Sequence, residues 1–128
     1  MDEYSVKLVK ASRELNGRDE IRFKNFSAMT PLDSLVSNDK EVAHITPTAY
    51  AQFDVHNELA ENKDYTQFII EADDGNIYKT GSGAFFSRFR EIFDTMKQYD
   101  PDEVFSISVI KRPSQRYKGK YILLCQLD

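Results

Sequence analysis

Between residues 82 and 98 the apolar positions are Phe85, Phe86, Phe89, Ile92, Phe93 and Met96. Their spacing winds them into one stripe along a 3.6-residue helix, with Arg88, Arg90, Glu91, Asp94 and Lys97 outside it. Thr80-Gly81-Ser82 supplies a turn and a hydroxyl cap, and Asp100-Pro101 forbids continuation. A face this aromatic must be buried against something.

The neighbours of that helix read as strands. Residues 65–71 and 76–80 are β-rich runs joined through Asp73-Asp74-Gly75, a tight-turn signal. Residues 104–111 and 121–127 are two more, joined by a loop holding Pro113 and Gly119. In the first of these, Phe105, Ile107 and Val109 alternate with Ser106 and Ser108, the period of a half-buried strand. The order is strand, strand, helix, strand, strand. With one more strand in front, read at residues 49–56, this is the chain order of a five-stranded Greek-key barrel, the oligonucleotide-binding (OB) fold. The phenylalanine helix would stopper its open end.

Upstream, Tyr4, Val6 and Leu8 share one face of an alternating run, and Ile21-Arg22-Phe23-Lys24 repeats the pattern after Asn16-Gly17. That dipeptide favours hairpin turns, so the spacing predicts an N-terminal β-hairpin over residues 1–26. Residues 27–40 read as a polar connection. Residues 42–45 are a short apolar run, cut from 49–56 by Thr46-Pro47. The expected architecture is mainly β with one α-helix: a single domain over 1–128, with the hairpin at 1–26 and an OB-fold-like barrel core at 42–128.

Composition changes this picture little. At 128 residues, with 41% hydrophobic and 12% aromatic side chains, the chain can bury a core without staples. The lone Cys125 makes no internal disulfide, no apolar run approaches membrane length, and the first residues lack a signal-peptide pattern. A cytoplasmic protein is expected, with no membrane partner.

Charge changes it more. The net charge is −4, but residues 27–74 hold two basic residues against ten acids, whereas residues 75–128 hold nine against six. Between residues 104 and 127 stand Lys111, Arg112, Arg116, Lys118 and Lys120 with no acid at all. The positive part of the molecule is therefore one hairpin tip.

Enzyme chemistry finds no foothold. His44 and His56 are twelve apart, with no cysteine near them and no metal-binding spacing. Gly81 and Gly83 lack a P-loop lysine, Asp73 and Asp74 beside Gly75 are turn formers, and Cys125 has no basic neighbour to make a thiolate. No nucleophile stands beside a base. Neither catalytic residues, metal ligands nor cofactors are expected.

What remains is basic and aromatic. The 111–121 stretch interleaves its five cations with Tyr117 and Tyr121. Cations neutralise phosphates, and an aromatic ring offers a base a surface to stack on. In a five-stranded OB barrel the loop between the last two strands and the face of the second and third strands are where single strands bind. Tyr65, Tyr78 and Lys79 would extend the track on that face.

Several short stretches add a resemblance. His56-Asn57-Glu58, Lys63-Asp64-Tyr65, Asp74-Gly75 followed by Tyr78, Thr80-Gly81-Ser82, and Pro113-Ser114 leading to Tyr117-Lys118-Gly119-Lys120 resemble small proteins of phages and prophages of Gram-positive bacteria. Those look like phage single-stranded DNA-binding proteins with an OB core. The resemblance implies a non-catalytic protein coating single-stranded DNA during phage replication or recombination in the host cytoplasm. It would work beside replication or recombination proteins and as a homo-oligomer, with a dimer expected first. The other reading is a phage protein that binds a host protein through the acidic 27–74 surface, imitating DNA, or a virion assembly part.

Overall fold

A computed structural model describes residues 3–128. The first two residues of the expected N-terminal hairpin lie outside the described residues. The chain is mainly β and forms two compact units: residues 3–30 with Thr48–Gly81, and Pro31–Pro47 with Ser82–Asp128.

The first unit is built on an open sheet. Its strands are β1 (Tyr4–Ala11), β2 (Thr30–Pro31), β4 (Pro47–Asn57), β5 (Asp64–Ala72) and β6 (Ile77–Thr80), in the order β1-β4-β5-β6-β2. Along β4, Ala49, Ala51, Phe53 and Val55 are all buried. These four lie two apart, so they share one face. Phe23, Phe26 and Met29 close over that face together with Ile69, and the Phe26 and Phe53 rings meet edge-on at 5.9 Å. The turn read at Asp73-Asp74-Gly75 is present. Gly75 sits at φ +86°, and Asp74 Oδ1 accepts from the Asn76 N–H at 3.0 Å.

The N-terminal hairpin does not form. Residues Gly17–Lys24 are helix α1, and Asn16 is its cap rather than a turn residue. The Asn16 side chain accepts from Asp19 N at 2.9 Å, and the Asp19 carboxylate accepts from Asn16 N at 3.4 Å. This reciprocal capping box satisfies two amides that would otherwise be orphaned at the helix start. Ile21 then points outward at 76% exposure while Phe23 is fully buried. β1 takes β4 as its antiparallel partner instead, Tyr4 opposite Asn57 through Ala11 opposite Ala51.

The second unit is a three-stranded sheet, β3 (Val42–Ile45), β7 (Ile107–Pro113) and β8 (Tyr121–Leu127), in the order β3-β7-β8. Helix α2 (Gly83–Tyr99) packs on it, against β8. The Ser82 hydroxyl caps that helix by accepting from Phe85 N at 3.2 Å. Phe85, Phe86, Phe89, Ile92 and Phe93 are all buried, as the stripe predicts, and the Phe93 ring meets Phe105 edge-on at 5.8 Å.

Among the described residues there is no closed barrel, and there are two α-helices rather than one. The hairpins on either side of α2 belong to different sheets. The reason is which strand occupies which edge. A barrel needs its first strand to offer an edge to the closing strand, yet β4 has β1 on one side and β5 on the other. β7 pairs instead with β3, Val42 opposite Ile110 through Ile45 opposite Ile107. The phenylalanine helix covers one face of an open sheet; it does not stopper a barrel.

Candidate nucleic-acid interface

β7 and β8 run antiparallel to their ends, Ile107 opposite Leu127 and Pro113 opposite Tyr121. The residues between them form a hydrogen-bonded tip. Ser114 N donates to Lys120 O at 2.8 Å, Tyr117 N to Ser114 Oγ at 3.0 Å, and Lys120 N to Tyr117 O at 3.1 Å. Gly119 closes the turn at φ +79°, a conformation an L side chain adopts only with strain.

The chemistry sits on that scaffold. Arg112, Arg116, Lys118 and Lys120 are exposed and Lys111 is half-buried. Among the described residues none of these five cations has an ion-pair partner. Tyr117 is 59% exposed and Tyr121 50%, and the Arg116 guanidinium lies 5.5 Å from the centre of the Tyr117 ring. That cation–π contact holds a flat aromatic surface and a positive charge side by side.

Several basic side chains of the first unit are paired instead. Arg13 and Arg22 both pair with Asp19 and with Glu71, and Lys24 pairs with Glu20 at 2.8 Å. The Arg13 hydrogen bond, before all else, holds the Asp19 carboxyl down at about 2. Two of the three cations of α1, Arg22 and Lys24, are thus already matched to carboxylates, while Arg18 has no ion-pair partner among the described residues.

Tyr65, Tyr78 and Lys79 belong to the other sheet from the tip. Tyr78 is buried in the core opposite Ile70, so its ring has no free face for a base. Alternation in a short strand does not say which of its faces is covered. Tyr65 is half-buried and packs against the core that Phe53 anchors, and Lys79 is half-buried opposite Ile69.

Two polar clusters were not legible from spacing. His56 is clasped between carboxylates, Nδ1 2.7 Å from Asp64 and Nε2 2.7 Å from Glu58, while Lys63 holds the other Glu58 oxygen at 3.0 Å. The Asp64 hydrogen bond first, then that of Glu58, raises the His56 pKa above the ordinary histidine value. An imidazolium donating through both nitrogens has no lone pair left for a metal or a proton relay. His56 lines an open cleft of about 430 Å³ with Ser5, Lys7, Asp54 and Thr66.

The second cluster unites serine, histidine and aspartate. Ser108 donates to Asp128 Oδ1, and His44 Nδ1 lies 2.8 Å from Asp128 Oδ2. The Ser108 bond, then that of His44, lowers the Asp128 pKa. A hydrolytic triad needs the serine on the imidazole nitrogen remote from the carboxylate. Here serine and histidine both bond the carboxylate, and the imidazole nitrogen 3.4 Å from Ser108 Oγ is the same Nδ1 that faces Asp128, so the order of a triad is not kept. Only register could find this group, since His44 and Ser108 face each other across β3 and β7. Burial pushes the Cys125 thiol up to about 12, which keeps it protonated. No group of histidine, cysteine and carboxylate side chains placed to hold a metal occurs among the described residues. No helix among them is long and apolar enough to cross a membrane.

The class these features define is a mainly β protein of two open sheets with a cationic, tyrosine-bearing hairpin. No family model, curated protein or solved structure matches the chain.

Proposed function

We propose that the chain binds single-stranded DNA without catalysis and with little sequence preference, through the 111–121 hairpin. One clustering carries the reading. Five cations without carboxylate partners gather within ten residues of one hairpin, beside the exposed Tyr117 and Tyr121 and with no acid between residues 104 and 127. Unpaired cations on a folded tip have a job to do for an anion, and Tyr117 with Tyr121 supply surfaces for bases. Lys111, Arg112, Arg116, Lys118 and Lys120 would hold phosphates. The resemblance to phage single-stranded DNA-binding proteins points the same way, toward replication or recombination in a bacterial cytoplasm.

The competing reading is a protein partner for the acidic 27–74 surface. Glu58, Asp64 and Glu71 there are engaged by Lys63, His56, Arg13 and Arg22, while the other seven acids have no ion-pair partner among the described residues.

The test titrates a labelled single-stranded oligonucleotide at several salt concentrations. Affinity should fall as salt rises, and the log–log slope should shrink by about 0.7 for each phosphate-binding cation neutralised. Tyr117→Ala should cost about 1–3 kcal/mol if that ring stacks a base. Undiminished binding after neutralising all five cations would remove the hairpin from the account.

A further inference from the structure

The outer edge of β8 is open. Lys120 O accepts from Ser114 N and Asp128 N donates to Ser106 O, so the even-numbered residues between them turn their backbone groups toward β7. The N–H and C=O of Tyr121, Leu123, Cys125 and Leu127 therefore point out of the sheet. They have no hydrogen-bond partner among the described residues.

Monomeric proteins blunt such an edge with charge, proline, a bulge or a covering helix, and α2 packs against β8 here without hydrogen-bonding its outward backbone groups. Residues 121–127 hold no charged residue and no proline, and their pairing to β7 is regular. Apolar surface gathers there as well: Tyr121, Ile122 and Leu127 are 50%, 48% and 46% exposed. An edge with these properties is made to be covered.

We propose that β8 pairs antiparallel with β8 of a second copy of this chain, about a two-fold axis at Leu124. This inference stands apart from the nucleic-acid reading. In that register Tyr121 faces Leu127 and Leu123 faces Cys125, and symmetry repeats both pairs, so every outward backbone group finds a partner. Sliding the strands by two residues orphans the groups of Tyr121 or Leu127 at the ends.

The same register sets Lys120 opposite Asp128 of the second copy, twice, and brings no like charges together. It places Leu124 against its own copy and Ile122 beside Gln126. On the face under α2, the Tyr121 ring of one copy comes to Leu127 of the other. There Leu127 lines a cleft of about 170 Å³ with Ile92, Thr95 and Met96. Self-complementarity of backbone, charge and apolar surface at one register is what a two-fold interface requires, and it favours a second copy over an unrelated strand. The product is a continuous six-stranded sheet with a cationic tip toward each end.

Sedimentation equilibrium of the full chain without nucleic acid tests this, with circular dichroism as the check on folding. A dimer that dissociates on dilution is expected. Leu127→Lys, which puts a charge on the bare edge, should weaken it at least tenfold. Lys120→Glu, which sets two carboxylates face to face, should weaken it roughly tenfold. Lys120→Gln, which removes the charge without reversing it, should cost less than Lys120→Glu. If Leu127→Lys fails to fold, the exposed Lys120 carries the test alone. A monomer from micromolar to near-millimolar concentration overturns the proposal. So does a dimer indifferent to both Leu127→Lys and Lys120→Glu.

Discussion

His56 shows what one side chain owes to its surroundings. Its two carboxylate partners raise its pKa, so its clasp stabilises the β4–β5 connection fully below the ordinary histidine value of 6.5. That contribution is lost as pH rises through the folded-state pKa. Glu58 runs the other way: the Lys63 hydrogen bond first, then that of His56, depresses its pKa. Its share is present above the ordinary glutamate value of 4.5 and is lost as pH falls through the depressed one. The connection is therefore clasped most firmly between those two pH values. A proton NMR titration should place the His56 midpoint above that of a free histidine, and Asp64→Asn should bring it down. An unchanged midpoint in that variant would show the Asp64 contact to be absent in solution.

At the scale of elements, each helix answers for a different kind of evidence. The stripe from Phe85 to Met96 is long and regular, and it was legible because burial of one helical face leaves a 3.6-residue period. Phe89 is fully buried between Phe86 and Phe93, each 5.8 Å away, so Phe89→Ala should cost about 3–5 kcal/mol by chemical denaturation. A loss below 1 kcal/mol would mean that the helix is not seated as described. Helix α1 was not legible. Its eight residues offer one buried position, Phe23, and Asn16-Gly17 serves a hairpin turn as readily as a helix cap. What decides is Asp19, which completes the capping box, and β4, which gives β1 its partner. Asn16→Ala should accordingly destabilise by about 0.5–2 kcal/mol, and Asn16→Ser by much less. Equal losses in the two variants would show that the cap is not what matters there.

For the molecule as a whole, local order was readable and long-range pairing was not. Sequence alone determined the phenylalanine helix, the β-rich runs of both later hairpins, the turn at Gly75 and the segregation of cations onto one tip. Each follows from side-chain period, turn chemistry or charge counted along a short stretch, where neighbours in sequence are neighbours in space. Only the tertiary structure decided that β4 lies between β1 and β5, that β7 pairs with β3, and that the sheets stay open. It also decided that Tyr78 is core while Tyr117 and Tyr121 are surface, and that Arg22 and Lys24 of α1 are matched to carboxylates while the tip cations are not. The physical reason is shared by all of these. An edge, a buried face and an ion pair are each settled by which distant segment makes the more favourable contact at a common surface, and competition among strands of similar β-propensity leaves no mark within any one of them.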